Sequence, residues 1–511
     1  MAIDSSLPDW VDIVVVGGGN AAFCAALAAR ESGASVLMLE RAPEAEAGGN
    51  SRFTAGAVRC VYDGVVDLKR LMPDLTEAEI AKTDFGTYTE EQFFDDMGAV
   101  TKYRCDPDLV EILVKRCRDT LLWMRSKGVR FQPIWGRQAF ELDGRFKFWG
   151  GLTIEISGGG PGLVDALSAA ALRAGIDISY GARAISLIAD ESGVQGLRVK
   201  YAGCGHEVRA SAVVLACGGF EANHEWRARY LGPGWDLAKV RGTRFNTGDG
   251  IRMALDISAA PYGHWSGCHA VGCDRNAPEF GDLAVGDGFQ KHSYPFAIMI
   301  NADGERFLDE GADFRNHTYA KYGAVILRQP DQFAWQVFDA KVTHLLRDEY
   351  RIRHVTKVTA DTLDELVQNL DGVKADRALE TIKAYNAAVR SDIPFDPNIK
   401  DGRGTVGLTP AKSNWANTID QPPFEAFAVT CGVTFTFGGL RIDTTGRVQD
   451  TDLEPITGLY GAGELVGGLF YFNYPGGAGL MSGSVFGRLS GTSAAAHAKS
   501  VPGAKGAGLS N

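Results

Sequence analysis

Asp12-Ile-Val-Val-Val-Gly-Gly-Gly-Asn-Ala-Ala22, continued to Glu40, is the stretch that decides the fold of this chain. The apolar run Ile13–Val16 predicts a buried strand, and the three glycines after it allow a turn whose backbone amides can approach a pyrophosphate. A helix over Ala21–Gly33 would direct its positive N-terminal end at that group. Val36–Leu39 predicts a second parallel strand ending at Glu40, where a carboxylate can bind a ribose diol. The stretch predicts a βαβ unit that binds a dinucleotide, without separating FAD from NAD.

Composition limits the classes of function that the chain can have. The 511 residues carry a formal charge of −11, with 45% apolar and 23% charged residues. This length predicts two or three substructures and room to bury a cofactor. The acidic balance argues against nucleic acid as a partner, because binding nucleic acid requires a basic face.

Targeting and metal-binding signals are weak. No apolar run reaches the roughly 18–20 residues that a membrane span needs, and Met1–Trp10 is unlike a secretion signal. We therefore expect a cytoplasmic protein that does not itself span a membrane. The nine cysteines are scattered, and no metal-binding spacing completes the pair Cys268 and Cys273. We predict reduced thiols and no metal site.

Secondary structure can be predicted between the glycine motifs. Asp106–Gly128 reads as one capped helix, and a second glycine cluster, Ser157–Gly162, precedes a helix over Leu163–Gly175. The next segments predict separate strands, the last of which ends at Gly218-Gly219, where a backbone can again approach a ligand. Those strands are predicted at Ile176–Tyr180, Ala184–Ala189, Gln195–Tyr201, His206–Arg209 and 212–217.

A change of composition marks an inserted unit. From about His264 to Pro423 there are more aromatic and charged residues, with helices predicted at Leu363–Leu370 and Ala375–Arg390. This indicates an α+β capping domain inserted into a Rossmann-like α/β nucleotide-binding domain. The predicted boundaries are 1–262 and 424–500 for the two parts of the nucleotide-binding domain, 263–423 for the capping domain, and 501–511 for a disordered tail.

Four further motifs make the prediction more specific. They are Gly48-Gly49-Asn50-Ser51, Thr247-Gly248-Asp249-Gly250, Gly461-Ala462-Gly463-Glu464 and 473–480, which reads Asn-Tyr-Pro-Gly-Gly-Ala-Gly-Leu. With the opening stretch they resemble the FAD-contacting motifs of the fumarate reductase/succinate dehydrogenase flavoprotein superfamily, over residues 12–491. The resemblance implies FAD, not NAD, bound to a domain of the glutathione-reductase type. Members with covalently attached flavin have a histidine near Asn50; this chain does not, so we expect non-covalent FAD.

The resemblance also implies which residues contact FAD. The backbone of Gly461–Gly463 would approach the ribityl chain, and the loop Gly476–Leu480 would direct its amides at the flavin edge. The expected contacts are Gly17, Gly19, Asn20, Ala21, Glu40, Arg41, Gly48, Gly49, Asn50, Ser51, Thr54, Ala55, Gly56, Ala182, Ala216, Cys217, Gly218, Thr247, Gly248, Asp249, Gly463, Glu464, Gly479 and Leu480.

A substrate site follows from the resemblance, with departures. Arg315 is the counterpart of a central arginine that exchanges a proton with the substrate, and His269 matches a histidine that binds a carboxylate. Thr434 and Tyr474 stand where the dicarboxylate reductases have a histidine and an arginine, and no Glu–Arg proton relay is recognisable in Asp287–Tyr294. The missing relay favours oxidation over reduction. Expected substrate contacts are His269, Arg315, Thr434, Thr436, Tyr474 and Gly477, with Arg52, Arg137, Arg244 and His317 as further anion-binding candidates.

The implied chemistry is α,β-dehydrogenation of a carboxylate. Gly467–Gly477 and Asp313–Gly323 most resemble tricarballylate dehydrogenases, which oxidise the saturated tricarboxylate to cis-aconitate and pass electrons to a separate, membrane-linked partner. A hydride would go to the flavin and a proton to a base. The candidate catalytic residues are Arg315, Tyr474, His269, His317 and Tyr319. The identity of the base is open, since arginine is a poor base and a phenolate or imidazole is chemically easier.

Other functions are compatible with the same motifs. Resemblance to the 3-ketosteroid desaturases would make Tyr474 and the amides of Gly476–Gly477 polarise a ketone. A fumarate-reductase-like enoate reductase and an electron-relay subunit without a substrate are further alternatives. Several convergent cations in the pocket favour a carboxylate, whereas an apolar slot with one oxyanion site favours a ketone.

Overall fold

The computed structural model describes residues 7–148 and 151–501. Its largest layer is an eight-stranded sheet that contains the predicted βαβ unit. β1 (Trp10–Val16) pairs in parallel with β2 (Val36–Glu40), and α1 (Asn20–Glu31) connects them. The inner residues of both strands are buried because helices or other elements cover both faces of this parallel region. The predicted unit is confirmed; the predicted tail lies, from residue 502 on, outside the described residues.

β12 is one strand where the sequence predicts two. The prediction of separate strands at His206–Arg209 and from 212 is wrong, because Cys204–Leu215 is continuous. Its first half pairs antiparallel with β11, and its second half pairs in parallel with β1 and β20. The remaining strands of this sheet are β9 (Asp177–Tyr180), β10 (Arg183–Asp190), β11 (Gly193–Tyr201), β19 (Arg447–Gln449) and β20 (Pro455–Gly461).

A second sheet of six strands crosses both predicted domain joints. β14 runs through the joint at 262, and β18 begins at the joint at 423 and pairs with β14. The domain division therefore stays a prediction, since all three predicted segments supply strands to this sheet. Its strands are β13 (Lys239–Val240), β14 (Pro261–Asp274), β15 (Ile298–Asn301), β16 (Phe333–Phe338), β17 (Lys357–Ala360) and β18 (Phe424–Leu440).

Two small sheets complete the strands. One contains β3 (Ala57–Val58), β5 (Phe131–Pro133) and β8 (Ile154–Ile156), and the other contains β4 (Thr83–Asp84), β6 (Ala139–Leu142) and β7 (Arg145–Phe148). Short 3-10 helices lie between strands at Glu44–Glu46, Gly49–Phe53, Trp235–Leu237, Gly286–Phe289, Tyr294–Phe296, Arg315–His317, Pro330–Gln332, Thr343–Leu345, Asp348–Tyr350 and Gly463–Leu465, with one π-helical turn at Arg227–Leu231.

The predicted helices form within a few residues of their expected ends. The carboxylate of Asp106 accepts hydrogen bonds from the backbone amides of Asp108 and Leu109, which caps α5 as predicted. No helix within the described ranges is long and apolar enough to cross a bilayer. The remaining helices are α2 (Gly64–Leu71), α3 (Glu77–Ala81), α4 (Glu90–Thr101), α5 (Pro107–Ser126), α6 (Trp135–Gln138), α7 (Gly159–Arg173), α8 (His224–Trp226), α9 (Asp249–Leu255), α10 (Tyr319–Leu327), α11 (Leu363–Gln368), α12 (Ala375–Ala388) and α13 (Ala478–Ser500).

Close packing of α1 on α13 joins the two ends of the chain. The side-chain amide of Asn20 donates to the carbonyl of Leu480 and to the hydroxyl of Ser484, both at 2.9 Å. A methyl group added at Gly487 would lie 2.4 Å from the carbonyl oxygen of Ala21, and one at Gly491 would lie 2.1 Å from that of Ala25. Glycine is therefore required in α13 for the two backbones to approach.

We expect Gly491→Ala to lower the free energy of unfolding by about 1–3 kcal/mol, the usual cost of overpacking. In an uncrowded helix the same change stabilises by about 1 kcal/mol. Gly136→Ala is the matched control, because a methyl group there meets no atom within 4 Å. Chemical denaturation of both variants checks this, and equal stability of the two would contradict the packing argument.

Candidate cofactor and substrate site

One large cavity follows the carboxyl ends of the parallel strands. It is lined by Gly17–Gly19 after β1, Glu40–Ala42 after β2, Ala216–Gly218 after β12 and Gly463–Glu464 after β20. Ligands of open α/β sheets bind at this edge. The cavity encloses about 1890 Å³, including open solvent at its mouth. Its lining also includes Arg315, Tyr319 and Tyr474, so one continuous cavity joins the glycine turn to side chains of distant segments.

Two long helices begin at this cavity. The residues that precede α1 and α13 are Gly19 and Gly477, which have no side chain to satisfy the amides of the first turn. The hydroxyl of Ser51 accepts a hydrogen bond from the amide of Asn20, which leaves further first-turn amides for a ligand. Helix N-termini favour phosphate and other anions. The arrangement fits a dinucleotide with its pyrophosphate at α1 and an electron-rich group at α13.

Glu40 lies directly against the glycine turn. An added methyl group at Gly18 would be 2.5 Å from its carboxylate, and the carboxylate accepts a hydrogen bond from the amide of Ala42 at 2.7 Å. Burial raises the pKa of Glu40. Next to it, the guanidinium of Arg41 pairs with Asp249 at 3.1 Å. These contacts are consistent with the predicted recognition of the ribose side of a dinucleotide.

Four of the predicted cofactor residues lie behind the cavity wall instead of on it. The amide of Gly56 donates to the hydroxyl of Thr54, and the hydroxyl of Thr247 accepts from Arg41. Gly48 precedes the 3-10 helix Gly49–Phe53 with φ of 111°, and Gly248 packs against Trp226. These four residues support the wall, and direct contact between them and FAD stays a prediction. The other predicted cofactor residues line the cavity.

A buried pair of carboxyl groups holds Asn50 in place. Glu221 is fully buried and accepts hydrogen bonds from the side-chain amides of Asn50 at 2.6 Å and Asn246 at 2.7 Å. It contacts the carboxyl group of Glu464, which also accepts from the amide of Thr436 at 2.8 Å. Burial raises the pKa of Glu221 and, together with the charge of Glu221, that of Glu464. Sequence reasoning missed Glu221, because nothing in its neighbourhood of the sequence indicates a partner more than 240 residues away.

The opposite end of the cavity contains two hydrogen-bonded tyrosines. The hydroxyls of Tyr319 and Tyr474 are bonded to each other, and the guanidinium carbon of Arg315 lies 5.7 Å from the centre of the Tyr319 ring. Burial raises the pKa of both tyrosines, so both are phenols at neutral pH. All three residues line the cavity with Thr434, Thr436 and Gly477, as the sequence predicts.

Positive charge exceeds negative charge at this end. We call Arg137, Arg241, Arg315 and Arg347, all of which line the cavity, the arginine row. Arg137 pairs with Asp287 at 2.7 Å, and Arg241 bonds both Asp287 and the hydroxyl of Thr434. Glu349, 3.7 Å from Arg347, and Glu155, whose charge interacts with Arg137 and Arg347, are further nearby carboxylates. Four guanidinium groups therefore face three carboxylates. Arg241 and Arg347 were not predicted, because no motif surrounds them.

The structure does not bring both predicted histidines to the cavity wall. His269 is 1% exposed and packs against the rings of Tyr319, Tyr474 and Phe435, with centroids 4.7–5.2 Å apart. Burial holds the pKa of His269 well below its usual value, so it supplies no cation. His317 lies outside the cavity lining, 3.6 Å from Asp96. The structure therefore does not support direct contact between the substrate and either histidine.

Two predicted arginines also point elsewhere. Arg52 pairs with Asp165 at 2.9 Å, and Arg244 pairs with Glu46 at 2.7 Å, neither of them on the wall of the main cavity. Both pairs are partly exposed to solvent and contribute little to binding in such a site. The anion-binding candidates that the structure retains are Arg137 and Arg315.

Comparison with known proteins agrees with this geometry. Residues 12–480 match the model of the FAD binding domain family. A probable fumarate reductase, Ifc3, of Shewanella frigidimarina is 31% identical over 507 residues, which cover 97% of this chain and 77% of that protein. The open conformation of a flavocytochrome c3 fumarate reductase superposes with a TM-score of 0.72 at 28% identity, covering 97% of this chain and 80% of that chain.

A second solved structure resembles the fold at lower identity. It is the 3-ketosteroid delta1-dehydrogenase of Sterolibacterium denitrificans, with a TM-score of 0.73 and 22% identity over 96% of this chain and 100% of that chain. This likeness concerns the fold alone.

Acid precipitation of the purified protein should release its flavin into the supernatant and leave a colourless pellet. Asn50, near which members with covalently attached flavin have a histidine, is held by hydrogen bonds to Glu221 and to the carbonyl of Thr434 and has no nucleophilic atom to offer. Absorbance of the two fractions checks this, and a pellet that stays yellow would contradict non-covalent binding.

Stability should fall as pH rises from about 4.5, because the folded protein binds protons more tightly at Glu221 and Glu464 than the unfolded chain does. The contribution is present below the unfolded pKa and is lost as pH rises through the raised folded values. Glu221→Gln should flatten this dependence in thermal unfolding of the FAD-bound protein. Glu191→Gln, an exposed control, should keep the wild-type slope; an unchanged slope in Glu221→Gln would contradict the assignment.

Proposed function

This chain belongs to the FAD binding domain family, among the fumarate reductase/succinate dehydrogenase flavoproteins, and on that premise we propose that it oxidises the CH–CH bond of a small polycarboxylate. Its general class is that of a FAD-dependent oxidoreductase. The substrate we propose is tricarballylate, and the product is cis-aconitate. A separate electron-accepting partner completes the cycle.

The excess charge of the arginine row carries this proposal. Four guanidinium groups against Asp287, Glu349 and Glu155 leave one guanidinium in excess in a largely buried wall. Buried charge without a partner is costly. A polycarboxylate would compensate that charge and gain bidentate hydrogen bonds, whereas a neutral substrate would leave it unpaired.

The reaction balances as the loss of one hydride and one proton from neighbouring carbons. When bound, FAD supplies the two-electron acceptor for the hydride. The proton goes to the Tyr319–Tyr474 pair, which must first be ionised. Burial opposes that ionisation, and the positive charge of Arg315 favours it by lowering the pKa of Tyr319. Arg315 and Thr434 would hold the carboxylate next to the reacting bond, so that the C–H bond stays about 3–3.5 Å from its acceptor.

Oxidation is favoured over reduction by the absence of a recognisable donor relay in residues 287–294. The one acid of that segment, Asp287, is occupied by Arg137 and Arg241. Its carboxylate is therefore committed to two cations. In the oxidative direction the substrate itself provides both hydride and proton.

A second candidate is dehydrogenation next to a ketone. The hydroxyl of Tyr474 and the backbone at Gly477 both line the cavity, and Phe435 and Phe470 make an apolar wall beside them. A carbonyl oxygen could be polarised there. This candidate leaves the arginine row without a function, which is why we prefer the carboxylate.

The test is an anaerobic titration of the FAD-bound protein followed by flavin absorbance. Tricarballylate should bleach the flavin, and Tyr474→Phe should slow bleaching by about 10²–10⁴-fold, the range of general base catalysis, while retaining FAD. Tyr471→Phe is the matched control, because Tyr471 lies outside the cavity lining. If tricarballylate leaves the spectrum unchanged and cyclohexanone bleaches it, the ketone candidate replaces the carboxylate.

A further inference from the structure

Arg347 is a buried arginine with unused donors. It precedes the 3-10 helix Asp348–Tyr350 and is 5% exposed. Its Nε and Nη1 atoms are buried, and neither has a hydrogen-bond partner in the part of the chain that the structure describes. Buried polar groups are almost always satisfied. Two free donors on one buried guanidinium, facing a cavity, point to an anionic ligand.

The positive charge of Arg347 is not fully compensated by the carboxylates around it. Glu349 is 3.7 Å from Nη1, which is too long for a hydrogen bond, and one of its oxygens is already engaged by the amide of His292 at 3.3 Å. Arg137 and Arg315 lie on the same wall and repel it. Burial, followed by the charge of Arg315, lowers the pKa of Arg347 to about 9. Asp287 is shared between Arg137 and Arg241, and no carboxylate in the described part of the chain is within hydrogen-bond distance of Arg347, so its donors stay free for a ligand.

Arg347 lies where the main cavity meets a smaller one. The second cavity encloses about 360 Å³, open solvent included, and shares Arg137, His292, Arg315 and Arg347 with the main cavity. The rest of its wall is apolar, with Phe140, Phe296 and Trp415 among its residues. Burial holds the pKa of His292 well below its usual value, so the charged donors at this junction are the arginines. A ligand anchored near Tyr319 could extend a second anionic group towards Arg347.

We propose that Arg347 anchors a second carboxylate subsite, which binds a substrate carboxylate remote from the reacting CH–CH bond and selects polycarboxylates over monocarboxylates. The proposal rests on the proposed function, since it assumes that the arginine row binds a carboxylate substrate. Nε and Nη1 lie on different edges of the guanidinium plane, so each can donate to an oxygen of a carboxylate that lies against Arg347. Arg315, closer to the tyrosine pair, would bind the carboxylate beside the reacting bond.

The experiment uses two carboxylates that cannot be dehydrogenated. Citrate has no hydrogen on its central carbon, and acetate has no second carbon that bears hydrogen, so both report binding without turnover. The dissociation constant of each is measured from the perturbation of flavin absorbance in the FAD-bound protein. Arg347→Met removes the charge at similar length. Arg351→Met, in the same turn but with a side chain 57% exposed, is the matched control.

Arg347→Met should weaken citrate binding by at least about tenfold, as expected for loss of a charge-assisted hydrogen bond, and should change acetate binding little. Arg351→Met should affect neither ligand. An equal loss for citrate and acetate, or no loss for citrate, would overturn the subsite. If Arg347→Met does not retain FAD, Arg347→Lys takes its place, and a selective rise in KM for tricarballylate with unchanged kcat is then the supporting result.

Failure of the subsite and failure of the proposed function give different results. If tricarballylate bleaches the wild-type protein and its KM is the same in Arg347→Met, the proposed function stands and the subsite is refuted. If the wild-type protein binds neither citrate nor acetate and tricarballylate does not bleach it, both the proposed function and the subsite are refuted.

Discussion

The contact between α1 and α13 is the interaction on which the rest of the site depends. It brings Asn20 against Leu480 and Ser484, and it is possible only because Gly487 and Gly491 leave room for the backbone of α1. The two helices then begin at the same cavity, so that the dinucleotide-binding turn and the loop over the flavin position belong to one site. Without this contact, residues more than 400 positions apart in the sequence would not act on one cofactor.

The second determinant is the distribution of charge along the cavity. Glu40 and Glu464, which are acidic, line the cavity where hydroxyl groups of a dinucleotide are expected, whereas the arginine row lines it beside Tyr319. Hydroxyls are satisfied by carboxylates, and substrate carboxylates by guanidiniums. The Tyr319–Tyr474 pair lies with the arginines. The acidic part of the wall is thus suited to the cofactor and the arginine-rich part to the substrate. Tyr319 and Tyr474 lie on the substrate side.

Local sequence patterns were sufficient to predict the nucleotide half. The βαβ unit, the cap of α5 and the glycine-rich part of the cavity lining depend on residues close together in sequence, whose periodicity and turn chemistry are visible without a structure. The continuity of β12 was missed because strand ends depend on pairing with β1 and β20. Gly48, Gly56, Thr247 and Gly248 adjoin the cavity lining without being part of it, because a motif does not distinguish a wall from its support.

The substrate half was much less predictable. Arg315, Tyr319 and Tyr474 were identified from motifs, but their mutual contact joins segments 155 residues apart. Arg241 and Arg347 lie in segments without any motif, and only the tertiary structure brings them to one wall. His269 matches a functional pattern and is nevertheless packed behind the tyrosines as a neutral side chain. Electrostatic contacts between distant segments form only in the folded chain, so the sequence alone does not reveal them.

The most direct test of the account is a crystal structure of the FAD-bound protein, with its flavin reduced, in complex with tricarballylate, which cannot be oxidised in that state. The account predicts one carboxylate on Arg315, a second on Arg347, and a CH–CH carbon about 3–3.5 Å from flavin N5. Tricarballylate bound away from the arginine row, or a reacting bond turned away from the flavin, would contradict it.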